Sequence, residues 1–185
     1  KAFSDLKMRQ NNSVMYLKSG CEWCTCRIGT IQFPSITDRI RTFTFRMKSS
    51  VGTMIGLAEA SWKYVDCYPG RGFYGVSTND PYDPKATVQG PNRNVLSIAY
   101  YEEFQQDDTV TMKVDSAERT VTFYRNQMQV ASPVSWKQHQ QPLIPLCAIC
   151  GPGSCVEVLS FRSSKSGDAG PSLLPKRRRS SIFNF

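Results

Sequence analysis

Asp107–Val130 reads DDTVTMKVDSAERTVTFYRNQMQV, and the alternation inside it decides the fold. Val110, Met112 and Val114 alternate with Thr109, Thr111 and Lys113. After a polar break, Val121 and Phe123 alternate with Thr120, Thr122 and Tyr124. A period of two sends successive side chains to opposite faces of a strand, so the stretch predicts a hairpin with one apolar and one wet face. Asp115-Ser116-Ala117-Glu118 supplies the turn through short side chains that bond nearby backbone, and Asn126-Gln127 is a weaker turn signal before Met128 and Val130. Two strands alone are marginally stable in water, so the hairpin requires a second apolar layer.

Strand signals recur on both sides of it. Residues 13–33 carry short alternations, with Val14–Leu17 as one strand and Cys21–Ile31 as another, before Pro34 breaks the run. Thr42–Met47 (TFTFRM) alternates strictly and points Phe43, Phe45 and Met47 to one side. Met54–Ala60 (MIGLAEA) is nearly continuously apolar, as in a strand buried on both faces, and Gly56 marks a place where another backbone or a large ring comes close. Ser61–Arg71 reads as a loop and Gly72–Ser77 as a strand. Thr78–Asn94 holds Pro81, Pro84 and Pro91 and too many breakers for any regular element. Val95–Tyr101, Pro142–Ile149 and Val156–Phe161 complete the set, the last two separated by the turn Gly151-Pro152-Gly153-Ser154. Helix periodicity is absent over any useful length. Short strands at intervals of about ten residues predict an all-β sandwich or barrel.

At 185 residues and 40% hydrophobic, the chain suffices for one well-buried domain. It divides into an arm or linker over 1–12, a sandwich over 13–161 and a flexible basic tail over 162–185. A chain that begins with Lys1 is expected to be a piece of a longer protein. No run of 18 apolar residues and no signal segment predicts membrane spanning or secretion. Seven cysteines, odd in number and scattered through strands, predict reduced thiols and an intracellular setting, cytoplasmic or nuclear. The net charge of +8 is mostly tail: residues 162–185 carry six basic and one acidic residue, leaving 17 against 14 on the body, too little for a nucleic-acid footprint.

The succession TFTFRMKSSVGTMIGLAEASW, GRGFYGVSTND, DDTVTMKVDSAERTVTFYRNQ and PLIPLCAICGPGSCVEVLSF resembles the SPRY (B30.2-like) domain family over residues 40–161. The specificity lies in the order and spacing, since each piece alone is ordinary β sequence. Asp115 stands where the family has an acidic turn residue and Asn126 where it has an Asn-Gly turn. Gln127 departs from that Gly, so a turn with positive φ at both residues is disfavoured and a different or longer one is expected. The first half of the larger B30.2 unit is not recognisable in residues 1–40, which should still contribute strands. The resemblance implies a bent, concanavalin-like jelly-roll sandwich of two antiparallel sheets that recognises proteins through loops at one end.

The residues themselves lead to a compatible reading by subtraction. Catalysis of the familiar kinds needs a base near a nucleophile or paired carboxylates in different environments. The chain's one histidine, His139, lies between Gln138 and Gln140 and reads as a surface loop residue; Glu102-Glu103 and Asp107-Asp108 read as solvated loop charge. No dinucleotide fingerprint, phosphate loop or nucleophile elbow occurs, so no enzyme and no cofactor are expected. Cys21-x-x-Cys24 and Cys147-x-x-Cys150 have zinc-ligand spacing and form a zinc-scaffold alternative. Against it, residues three apart on a strand face opposite ways, and buried structural thiols are the preferred account.

Candidate binding residues lie in the irregular connections. Trp62, Tyr64, Tyr68 and Arg71 share one, Tyr82 and Arg93 lie in the next insertion, and Trp136 follows Pro133. Aromatics and Arg offer large contact area at small entropic cost, which is why they dominate hot spots. Trp62 reads equally as core lid or ligand contact, and Trp136 equally as packing beneath a sheet edge. In the tail, Lys176–Arg179 followed by Ser180 and Ser181 suits a nuclear import signal, a phosphorylation site or an anionic contact, and Ile182–Phe185 suits docking. The expected function is non-catalytic recognition of a short peptide or protein loop within a larger intracellular protein. RNA binding through the tail and the aromatic loops is the alternative, separable by its steep salt dependence.

Overall fold

The computed structural model describes residues 6–9, 14–17, 24–28, 31–35, 39–48, 52–60, 73–78, 87–89, 95–97, 104–151 and 153–164. Among these, the chain forms two antiparallel sheets and no helix. The larger sheet runs β1 (Leu6–Arg9), β2 (Val14–Leu17), β14 (Cys155–Ser164), β4 (Ile40–Met47), β9 (Thr109–Asp115), β10 (Thr120–Arg125) and β11 (Met128–Gln129), and β12 (Val134–Ser135) also pairs with β10. The smaller runs β3 (Cys24–Arg27), β13 (Leu143–Ile149), β5 (Thr53–Glu59), β6 (Tyr74–Thr78), β7 (Thr87–Gln89) and β8 (Val95–Ser97). This is the expected all-β sandwich.

The hairpin forms as its alternation dictates. Val121 pairs with Val114 and Phe123 with Met112, while β4 lies on the other side with Phe43 opposite Met112 and Phe45 opposite Val110. All seven are buried and share one core cluster with Ile55, Leu57, Val76, Leu143 and Ile149 of the smaller sheet. Each such side chain contributes about 1.5–3 kcal/mol through burial, which makes the contact between sheets the main source of stability. In the hairpin turn, Asp115 Oδ1 accepts from the amides of Ala117 and Glu118, both at 3.0 Å.

β5 and β13 are buried on both faces: Met54, Ala58, Leu146 and Ala148 form a second cluster with Phe73 and Cys150, on the side away from the main core. Gly56 sits opposite Gly75 on β6, and a Cβ on Gly56 would meet the Phe73 ring at 2.7 Å and the Gly75 Cα at 2.6 Å. The close approach expected at Gly56 is therefore that of both a ring and a backbone.

Four features depart from expectation. Leu6–Arg9, read as arm or linker, pairs with β2 along its whole length. The breaker-rich stretch 78–94 contains strand β7, stabilised by pairing with β6 rather than by local propensity. The last strand continues to Ser164, paired with Ile40, past a register shift between Val158 and Ser160. The fourth concerns Asn126-Gln127, which does make the tight two-residue turn: Arg125 pairs with Met128, and φ is 48° at Asn126 and 74° at Gln127.

A polar network explains that turn. Asn126 Oδ1 accepts from the Thr109 amide at 2.9 Å and its hydroxyl at 3.1 Å, while Asn126 Nδ2 donates to Asp108 Oδ1 at 2.6 Å. Asp108 Oδ2 in turn accepts from Arg125 Nε at 2.7 Å and from the Gln105 amide at 2.7 Å. Asp108 and Arg125 are buried, with Phe104 against the guanidinium, so the reading of Asp108 as solvated charge is corrected; only Asp107 of that doublet is exposed, 3.4 Å from Lys48. A left-handed backbone costs about 1–2 kcal/mol per residue, whereas breaking a buried, hydrogen-bonded ion pair costs about 3–5 kcal/mol, so the network wins.

In denaturant titrations of the whole chain, Gln127→Gly is expected to raise stability by about 1 kcal/mol by removing the left-handed penalty. Asp108→Ala is expected to lower it by about 3–5 kcal/mol, because a buried, hydrogen-bonded ion pair to Arg125 is broken.

Candidate recognition surface

The topology sorts the predicted binding residues between the two ends of the sandwich. Trp62, Tyr64, Tyr68 and Arg71 lie outside the described residues, in the connection that leaves β5 after Ala60 and re-enters at Phe73. Arg93, also outside them, is in the connection from β7 to β8, whose bracketing residues Gln89 and Val95 are paired with each other, Gln89 also pairing with Gly75 near the start of β6. Both connections therefore leave from the same end of the smaller sheet. Tyr82, outside the described residues as well, belongs to the β6–β7 connection at the opposite end, where Thr78 is paired with Thr53. Ser180 and Ser181 likewise lie outside the described residues.

Glu59, Tyr74 and His139 meet at the end shared by the first two connections. The Ala60 amide donates to Pro142 O at 2.7 Å, tying β5 to the segment that enters β13. A turn in which the His139 amide donates to Trp136 O at 3.0 Å brings the imidazole inward. Its Nδ1 lies 3.4 Å from the Tyr74 hydroxyl, the rings meet edge to face at 5.6 Å between centroids, and Nε2 lies 3.6 Å from Glu59 Oε1. His139 is thus not the surface loop residue its glutamine neighbours suggested: its side chain is only 10% exposed. Burial, followed by the nearby Glu59 charge, pushes the Tyr74 phenol above its ordinary range, so it stays protonated and serves as a hydrogen-bonding group rather than a nucleophile.

Trp136 lies beneath this rim. It belongs to the main core cluster at 1% exposure, which corrects its reading as a ligand contact. Val134 pairs with Val121, so alternation along Val134-Ser135-Trp136 carries the indole to the core side, and its amide donates to Arg119 O at 2.9 Å. The Arg119 guanidinium lies 5.8 Å from the indole centroid. The same alternation was present in the sequence, but two strand residues after a proline are too short a signal to distinguish from loop.

The zinc alternative fails on facing. Cys147 lies in the main core cluster and Cys150 in the second, on opposite sides of β13, so the pair cannot bind one ion. Cys24 pairs with Ile149, and Cys21 lies outside the described residues. Among the described residues no group of three or more potential ligands comes together. No helix among them is long and apolar enough to cross a membrane.

Three solved structures that superpose on this chain are SPRY domains. That of human HERC1 superposes with a TM-score of 0.63 at 15% identity, covering 84% of this chain and 92% of that one. The fold is that of a SPRY domain. The TRIM65 PSpry domain gives 0.61 at 14% identity over 86% and 88%, and a human SPRY domain 0.62 at 11% over 84% and 94%. No family model and no curated protein matches the sequence. With so few identities, the SPRY likeness rests on strand order and register, and residues 6–35 supply three of its strands although their sequence was not recognisable.

Trp136→Ala is expected to destabilise the fold by about 3–5 kcal/mol, the range for deleting a buried aromatic. Thermal unfolding of the purified variant measures it, and an unchanged melting temperature would return Trp136 to the binding surface.

Proposed function

We propose that this chain is a non-catalytic recognition module that takes a short peptide or protein loop at the end of the sandwich carrying the β5–β6 and β7–β8 connections, as part of a larger intracellular protein. The observation that carries this reading is the rooting of the 61–72 connection. Its aromatic and arginine residues hang from β5 and β6, two strands of the buried small sheet joined over five register pairs and braced by His139 and Pro142. Loops on a rigid base lose little entropy on binding, and Trp, Tyr and Arg suit that placement. The SPRY fold supports an interaction role in general, as does a rim whose titratable groups, Tyr74, His139 and Glu59, hydrogen-bond or pair with each other and present no activated nucleophile. Tyr68 and Arg71 follow the preference of Pro-Gly for outward turns and are the first choice for ligand contacts.

The test is selection of a displayed peptide library on the immobilised chain, repeated with the Tyr68→Ala/Arg71→Ala double variant. The expected outcome is an enriched motif whose affinity falls at least about tenfold in the variant, corresponding to about 1.4 kcal/mol, at unchanged melting temperature. Loss of both affinity and melting temperature would make these residues structural. A bound ligand released steeply between low and moderate salt would instead favour the nucleic-acid reading.

A further inference from the structure

Cys26 and Cys147 stand directly opposite each other in the antiparallel pairing of β3 with β13. Directly opposed residues share a face, and here it is the inner one: Cys147 is in the main core cluster and Cys26 packs against it. The Ile28 amide donates to Pro145 O at 2.9 Å in the same register, so Cys26 and Cys147, one full repeat along, form a hydrogen-bonded pair. Such pairs have Cα atoms about 5.5 Å apart, within a disulfide's Cα span, and Cβ atoms at the wide end of the cross-strand range, so the edge strand β3 must draw in by about 1 Å for the bond to close. Both thiols are free, Cys147 fully enclosed and Cys26 only half-buried. Cys150 faces away on the second cluster, and Cys24 is opposed by Ile149 rather than by a thiol.

We propose that Cys26 and Cys147 form a paired-thiol modification site that closes to an intrachain disulfide when a peroxide reaches Cys26. In the first step the Cys26 sulfur attacks one peroxide oxygen; the O–O bond breaks, the sulfur becomes a sulfenic acid, and the other oxygen leaves as water after taking up the thiol proton. The Cys147 sulfur then attacks the Cys26 sulfur and the sulfenic hydroxyl leaves as a second water, carrying the Cys147 proton. Two thiols and one peroxide thus become one disulfide and two waters, the sulfurs oxidised and the peroxide reduced. Burial pushes both thiols up, Cys147 further because it is fully enclosed and, secondarily, because Cys26 is near it, so closure is slow at neutral pH and accelerates as pH rises and thiolate forms. The bond pins β3, a four-residue strand at the edge of the smaller sheet, to its neighbour. It closes a long loop and so stabilises the chain.

The experiment exposes the reduced full chain to hydrogen peroxide at several pH values, blocks remaining thiols by alkylation and maps peptides by mass spectrometry without reduction. A peptide joining Cys26 to Cys147, lighter by two hydrogens and separated by dithiothreitol, is expected, together with a melting temperature raised by roughly 5 °C or more. Cys26→Ala should give neither the link nor the rise, and its half-buried edge position makes it the variant that keeps the fold. Alkylation of both thiols after peroxide treatment, a link from either one to another cysteine, or a link between chains would each overturn the proposal. Peptide recognition at the loops is untouched by any of these results, since neither cysteine lies on that rim.

Discussion

One seam carries the structure: the plane in which Phe43, Phe45, Met112 and Phe123 of the larger sheet meet Ile55, Leu57, Val76 and Cys147 of the smaller. Neither sheet is stable without the other, because each alone would leave a continuous apolar face in water. The seam also fixes register. A one-residue slip of β9 against β10 would exchange Val110, Met112 and Val114 for Thr109, Thr111 and Lys113 on the buried side, losing several large side chains at about 1.5–3 kcal/mol each. Cooperative burial of this kind tolerates wide sequence change so long as the period is kept. That is the physical reason a chain at 11–15% identity can share strand order with SPRY domains over more than four-fifths of its length.

What was legible in the sequence was whatever depends on neighbours two residues away. The core faces of β4, β9 and β10, the double burial of β5 and β13, and the close approach at Gly56 all follow from local pattern. What was not legible depends on contacts distant along the chain. Asp108 looks like any acidic loop residue until Arg125, 17 residues on, is folded beside it. His139 looks solvated between two glutamines until Tyr74, 65 residues back, receives its ring. Gln127 looks wrong for its turn until Asn126 is held by Asp108 and Thr109. In each case a polar side chain is paired by tertiary structure, and polarity alone says only that a partner or water is needed.

The two ends of the sandwich are built to different tolerances. At the end carrying the Asn126-Gln127 turn, Asp108 accepts three hydrogen bonds of 2.6–2.7 Å from Arg125, Asn126 and Gln105, a buried charged network with little room to rearrange. At the other end, His139 Nδ1 lies 3.4 Å from the Tyr74 hydroxyl, at the outer limit of hydrogen bonding, while its Nε2 is 3.6 Å from Glu59, beyond that limit, and Glu59 is about a third exposed. A short charged bond breaks at a cost of several kcal/mol; long, partly wet contacts rearrange at much less. The His139 side-chain contacts can rearrange without disturbing the strands beneath, which are held by backbone bonds such as Ala60 N to Pro142 O at 2.7 Å and by Trp136, fully enclosed in the core. Rigidity is thereby uneven along the length of the strands: the locked end clamps the open ends of β9 and β10, and the other end is the one from which the connections rich in Trp, Tyr and Arg depart.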